Sequence, residues 1–332
     1  MSVKISMKDV AKEAGVSVST VSRVLNNGKY VTDETKNKVN TAVKKLNYRP
    51  NVIARGLRTQ KTNSVGLILP DITNEFFGKL AKSIEEKLNE HNINLLLCNS
   101  NENPKIEKNY IEALLDKSVD GLIFISSGFD ENLDLFPEDL PVVVIDRRPS
   151  ADRNIYFISS ENKKGGYLAT KHLIENGCRD ILMLKDEKLV SPMNERLLGY
   201  QAALRDYNID FRPEYIIKSK IDLKEIKEKI LKIHNKIKFD GIFAGADRLA
   251  IGAIRTLSKL GYQIPADIQI VGFDNIPFAK YYNPSITTIA QQIDKIGHKS
   301  AELIIELINN KNMGQADSFY FPVYLIKRES TT

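Results

Sequence analysis

The chain of 332 residues has few of the groups around which hydrolases, metalloenzymes and redox enzymes are built. Its four histidines, His91, His172, His234 and His298, stand apart on helical or polar stretches, with no metal-ligand spacing. No G-x-S-x-G, Walker loop, H-E-x-x-H or strand-following G-x-G-x-x-G occurs. No metal, no cofactor and no catalytic set are therefore expected. Its two cysteines, Cys98 and Cys178, lie in separate apolar stretches and read as buried free thiols rather than a disulfide. No apolar run approaches the roughly 20 residues of a membrane helix, and MSVKISMKDV lacks the apolar segment of a secretory signal. The expectation is a cytoplasmic protein with no membrane partner.

What is present is unevenly distributed. Residues 1–62 hold 13 Lys and Arg against 4 Asp and Glu, while the remaining 270 hold 35 against 38. A basic end on a nearly neutral body is the electrostatic footprint of a nucleic-acid-binding head.

That head contains the most informative stretch, SMKDVAKEAGVSVSTVSRVLN, from Ser6 to Asn26. Ser6 and Asp9 form a capping box, and Met7, Val10, Ala11 and Ala14 share one helical face. Gly15 suits a left-handed helix end, and Ser17 caps a second helix with Val21, Val24 and Leu25 buried. Helix, Gly-containing turn and helix make a helix-turn-helix, whose second helix enters the DNA major groove. The positions expected to face outward, Val18, Ser19, Thr20, Ser22 and Arg23, include no carboxylate that would repel phosphate. Thr32 caps a third helix, lined inside by Val39, Ala42, Val43 and Leu46, with Lys36, Lys38, Lys44 and Lys45 outside; Tyr48 and Pro50 end it.

MKDVAKEAGVSVSTVSRVLN closely resembles the headpiece of the LacI/GalR group of bacterial transcription regulators. The resemblance implies DNA contacts at Ser17, Val18, Ser19, Thr20, Ser22, Arg23, Asn26 and Tyr48. NVIARGLR (51–58) is a weak helix former, because it is short and Gly56 lies inside it. In the resembled family this segment is a hinge helix that folds on the operator, which places Ala54, Arg55, Leu57 and Arg58 at DNA, with Leu57 as a minor-groove wedge.

From Ser64 onward, apolar runs alternate with amphipathic helices. VGLILP (65–70), INLLLC (93–98), GLIFIS (121–126), PVVVID (141–146), DILMLK (180–185), GIFAG (241–245), IQIVGF (268–273) and TTIAQ (287–291) read as strands. Helices are expected over 76–90, 104–117, 162–176, 195–207, 222–235, 247–260 and 293–308, and FYFPVYLI (319–326) reads as crossing between lobes. This part resembles periplasmic sugar-binding proteins. The expected fold class is a small all-α helix-turn-helix headpiece plus an α/β periplasmic-binding-protein-like core of two doubly wound subdomains. The expected divisions are headpiece 1–50, hinge and linker 51–62, and core 63–332. Lobe 1 is expected at about 63–160 and 293–320, and lobe 2 at about 161–292 and 321–332.

Ligands of such sheets lie at the carboxyl ends of the strands. Asn74, Phe76, Phe77, Asp146, Arg147, Arg196, Asp274 and Gln291 stand there, aromatic faces beside hydrogen-bonding rims that suit a sugar. Asp247 is either a ninth ligand or a helix cap. The first eight are similar to positions used by ribose-binding and ribose-responding members of the group, which points to a pentose or comparable monosaccharide. Ala246 departs from an Asn of that group, Ile221 from an aromatic wall, and Val190 and Pro192 from the Arg and Thr of purine-responding relatives. Other effectors (hexose, disaccharide, phosphosugar) stay open, as does a sugar-modifying enzyme using Asp146 or Asp274 as base. The resemblance implies a homodimeric repressor of sugar catabolism or transport genes, placed on a pseudo-palindromic double-stranded DNA operator and modulated by the small sugar.

Overall fold

A computed structural model describes residues 5–25, 31–48, 61–128, 130–148, 155–188, 190–310 and 315–332. The chain forms two compact units, Met1–Thr62 and Asn63–Thr332.

The first unit contains α1 (Met7–Ala14), α2 (Val18–Leu25) and α3 (Asp33–Lys45). The Asp9 carboxylate accepts from the Ser6 backbone N–H at 2.8 Å and from the Ser6 hydroxyl at 2.7 Å. Gly15 ends α1 at φ 66°, a conformation a Cβ would strain. Ser17 Oγ accepts from Thr20 N, and Thr32 Oγ1 from Thr35 N, opening the next two helices. Val10, Ala11, Val21, Val24, Val39, Ala42 and Tyr48 close the core.

The second unit contains two six-stranded sheets. The first, in the order β11-β5-β4-β3-β1-β2, comprises β1 (Ser64–Leu69), β2 (Asn94–Asn99), β3 (Gly121–Phe124), β4 (Val142–Ile145), β5 (Tyr156–Ser160) and β11 (Ser318–Phe321). The second, in the order β12-β10-β9-β8-β6-β7, comprises β6 (Ile181–Asp186), β7 (Ile216–Ser219), β8 (Gly241–Ala244), β9 (Gln269–Asp274), β10 (Thr287–Ala290) and β12 (Tyr324–Ile326). All neighbours are parallel except β10 with β12.

Helices cover both faces of each sheet, because strands such as SVGLIL bury every residue and cannot face water. On the first sheet, α4 (Glu75–Glu90) and α11 (Ile293–Asn309) pack Leu80, Ile84, Ile296 and Leu303 on one face, and α5 (Pro104–Asp116) packs Ile111 and Leu114 on the other. On the second, α6 (Asn162–Glu175) and α7 (Ser191–Asp206) cover one face, and α8 (Leu223–Ile233) and α9 (Asp247–Lys259) the other; α10 (Pro277–Tyr281) is short. The chain passes between the sheets after β5, after β10 and between β11 and β12.

Two expectations, the start of the helix from 195 and the burial of Cys98, are corrected here. FYFPVYLI crosses between the two sheets, and Pro322, which has no N–H for a ladder, separates β11 in one from β12 in the other. The helix expected from 195 starts at Ser191, since Pro192 sits in the first turn, where a missing N–H costs nothing. β5 and β7 did not register as apolar runs, because YFISS and IIKS are short and end in serine. Cys178 is buried and free, but Cys98, also free, is only half-buried on edge strand β2.

Candidate functional site

On α2 the exposed surface is narrower than the sequence suggests. Ser17, Val18, Ser19 and Arg23 are exposed, and Thr20 is half-buried with its hydroxyl 2.8 Å from Ser17 Oγ. Ser22 is 9 % exposed and does not face outward. At about 100° per residue it falls beside Leu25, inside the arc covered by the neighbouring helices. Tyr48 is likewise a core residue, 8 % exposed. Of the α3 lysines expected on the outer face, Lys36, Lys38 and Lys45 pair with Asp33, Glu34 and Glu13. Asn26, Ala54, Arg55, Leu57 and Arg58 lie outside the described residues.

In the second unit, a cavity of about 370 Å³ opens between the carboxyl ends of the two sheets. Asn74, Phe76, Phe77, Asp146, Arg147, Arg196, Asp274 and Gln291 all line it. Asn74 caps α4, its side-chain oxygen accepting from Phe76 N at 3.1 Å, which sets the two phenyl rings edge-to-face with centroids 5.2 Å apart. Asp146 and Asp274 leave β4 and β9 in left-handed conformations, φ 64° and 108°, unusual for residues with a Cβ. Such turns lift each carboxylate out of its sheet.

Arg196 is fixed on every side. Its Nε donates to Asn162 Oδ1 at 2.9 Å and its Nη1 to the Gly245 carbonyl at 2.6 Å; Nη2 lies 3.6 Å from Asp274, and the guanidinium covers the Phe273 ring at 3.6 Å. Gln291 donates to Asp274 Oδ1 at 2.7 Å and accepts from Ser160 at 2.6 Å, which links the crossover to both lobes. Burial raises the Asp274 carboxyl to about 6, against the opposing pull of Arg196. Asp146 is also raised by burial, despite Arg196 and Arg147 nearby.

Asp247 is a correction. It neither lines the cavity nor caps α9, whose N-cap is Ala246. Fully buried, its carboxylate accepts from Thr288 Oγ1 at 2.6 Å and from Ile276 N at 2.9 Å, so it fastens the loop after β9 to β10. Burial, then the charge of Asp274, pushes its carboxyl well above the usual range.

The structure adds lining residues that the sequence reading missed: Asp71, Glu102, Asp186, Lys188, Lys220 and Arg248. Glu102 and Asp186 stand at or just beyond the carboxyl ends of β2 and β6, which is the one signal that could have found them. Asp71 meets Arg248 across the cleft at 3.4 Å, and Glu102 meets Lys188 at 3.0 Å. All five cations at the cavity then have a carboxylate within 4 Å, counting Arg147 with Glu102, Arg196 with Asp274 and Lys220 with Glu187. Asp146 and Asp186 form no ion pair among the described residues. The surplus is of hydrogen-bond acceptors, on apolar walls from Phe76, Phe77, Val190, Met193 and Ile221.

Among the described residues no group of acids, histidines or cysteines could hold a metal, and no helix is long and apolar enough to cross a membrane.

Comparison with known proteins agrees with this division. Residues 6–51 match the model of bacterial regulatory proteins, lacI family, and residues 62–329 that of periplasmic binding proteins and the sugar binding domain of the LacI family. The ribose operon repressor of Halalkalibacterium halodurans is 37% identical over 98% of this chain and 97% of its own. A periplasmic binding protein/LacI transcriptional regulator from Alkaliphilus metalliredigens, solved with D-xylulofuranose, is 34% identical, covering 81% of this chain and 99% of its own at a TM-score of 0.73. The lac repressor dimer bound to operator and an anti-inducer aligns over 99% of both chains at a TM-score of 0.89 and 24% identity, a likeness of fold. The chain belongs to the lacI family of bacterial regulatory proteins.

Proposed function

We propose that this protein is a cytoplasmic, sequence-specific DNA-binding repressor of sugar catabolism or transport genes, whose hold on its operator is set by a neutral sugar in the cleft. The observation that carries the effector class is the cavity's charge pattern. Among the described residues every cation there is already paired, and buried carboxylates remain, so the site they form offers acceptors to hydroxyl groups and no free cationic cluster to a phosphate. A pentose or pentulose is the leading ligand, supported by the relatives that are named for ribose or hold xylulofuranose.

In this reading two chains form a homodimer and place two copies of α2 on the half-sites of a pseudo-palindromic operator. Ser17, Val18, Ser19, Thr20 and Arg23 meet the DNA, joined by Asn26 and by Ala54, Arg55, Leu57 and Arg58 of a hinge within 51–62. Sugar and operator affinities are reciprocally coupled, with sugar weakening the operator complex. A thermal-shift screen with pentoses, pentuloses, hexoses and phosphosugars tests the effector class, since a ligand of the native state raises the melting temperature. A response to pentoses without one to phosphosugars supports it, and selective stabilisation by phosphosugars overturns it.

A further inference from the structure

We propose that Glu102 is a positioning residue of the effector site: its carboxylate orients Arg147 in the cavity, and the same carboxylate carries a second ion pair, to Lys188 of the opposite lobe, that only a closed cleft permits. This rests on reading the cleft as a sugar site.

Arg147 stands one residue beyond Asp146, so its guanidinium and the Asp146 carboxylate enter the same cavity. After Glu102, the carboxylates that act on Arg147 are Asp146 and then Asp186, and a pair with Asp146 would consume the acceptor that a sugar hydroxyl needs. Glu102 prevents this. Its two oxygens accept from Nη1 and Nη2 of Arg147, each at 2.9 Å, in the fork geometry that fixes a guanidinium in plane. Nη1 also donates to the Ser126 carbonyl at 2.9 Å, and the guanidinium lies 5.6 Å from the Phe77 ring centroid. Arg147 is thus held between a carboxylate, a carbonyl and an aromatic face, and among the described residues Asp146 forms no ion pair.

The backbone is bent to achieve this. Asn101 and Glu102, in sequence directly after β2 and Ser100, both take left-handed conformations, at φ 51° and 57°. Asn tolerates this region; Glu does so at a cost, and such strain persists where the surroundings over-determine it. The Glu102 N–H is anchored to the Pro70 carbonyl at 2.9 Å, which aims the side chain at the cavity from the β1 side.

Lys188 supplies the second half. It follows β6 in lobe 2 and reaches across to Glu102 Oε2 at 3.0 Å, the same oxygen that Arg147 Nη1 engages at 2.9 Å. Opening the cleft removes Lys188 and leaves Glu102 with Arg147 alone. The groups facing this cluster are Asp146 from β4, Asp186 from the end of β6, and Arg196 from α7.

The test uses the full chain, with calorimetry of D-ribose and D-xylulose and side-chain NMR of Arg147, its signal assigned by its loss in Arg147→Lys. In Glu102→Gln, affinity should fall on the order of a hundredfold, as when one partner of a buried charged pair is lost, and Arg147 should lose the slow guanidinium rotation of the wild type. In Lys188→Met the loss should be at most about fivefold, as for a half-exposed pair, and the remaining affinity should become less sensitive to salt. Glu102→Gly strands Arg147 as Glu102→Gln does but relieves the left-handed strain, so it should lose sugar binding as fully as Glu102→Gln while melting no lower than that variant; binding lost only in step with stability would mark a structural role. An immobile Arg147 or wild-type affinity in Glu102→Gln overturns the proposal. If the wild type binds neither sugar, the sugar reading is what fails, and the ligand-free NMR comparison still decides whether Glu102 positions Arg147.

Discussion

Protonation of Asp274 offers a quantitative handle on the cleft. Its carboxyl is raised from 3.8 to about 6, chiefly by burial. A shift of roughly two units corresponds to about 3 kcal/mol between the two protonation states. The sign follows from linkage: below about pH 4 the folded and unfolded chains both carry the proton, whereas between pH 4 and 6 only the folded chain does. Stability from this group is therefore present at low pH and lost as pH rises through about 6. A sugar whose hydroxyl donates to the ionised carboxylate works the other way. It binds the deprotonated form, so its affinity should be about tenfold weaker at pH 5 than at pH 8. Calorimetry across that range, with Asp274→Asn as control, measures both effects. Because Asp146 and Asp247 also titrate upward, the difference between wild type and Asp274→Asn isolates the Asp274 contribution. In the variant the step near pH 6 should vanish from both stability and affinity. Affinity that rises as pH falls in the wild type, or an unchanged step in the variant, would refute this assignment of charge.

The other predictions bear on packing and on DNA. A Cβ at Gly199 would lie 2.0 Å from the Lys163 carbonyl oxygen, where α6 and α7 meet backbone to backbone; Gly199→Ala should cost about 3 kcal/mol and, by shifting α7, weaken sugar binding through Arg196. Calorimetric melting checks it, and an unchanged transition would contradict the close approach. Arg23→Ala should relax base choice at one operator position in a randomised-site binding assay; uniform weakening across all sites would mark Arg23 as a phosphate contact. Leu57→Ala should abolish tight operator binding and leave dimerisation intact, which gel shift and sedimentation measure together; unchanged affinity would remove Leu57 from the interface.

What could be read from the chain depended on how local each signal was. Capping at Ser6, Ser17 and Thr32, the left-handed Gly15 and the apolar runs of β1, β3, β6 and β9 are properties of a few adjacent residues, and the structure holds them where the sequence suggests. Eight cavity residues were legible because strand ends are. Asp247 failed because its partners, Thr288 and Ile276, come from a different loop and strand, and no spacing announces that. The burial of Ser22 and Tyr48 was not legible because α2 buries a wider arc than one apolar stripe reveals, and Tyr48 joins the core from beyond the end of α3, after the left-handed Asn47. Glu102 was illegible for a further reason: its direction is set by two consecutive left-handed residues and by Lys188, which follows it by more than eighty positions. Pro322 was visible, but which sheet each half of FYFPVYLI would join is decided only by tertiary pairing.

The central claim is that an α2-bearing head and a sugar-binding clamp act as one switch. Fluorescence anisotropy of a labelled palindrome, selected by the full chain from genomic fragments, tests it most directly when titrated with and without the pentose that stabilises the protein. The account predicts strong preference for the palindrome over bulk fragments and weaker binding when the sugar is present, with the sugar's own affinity changed by DNA to the same factor. Equal affinity for palindrome and bulk DNA, unaltered by any saccharide, would contradict it.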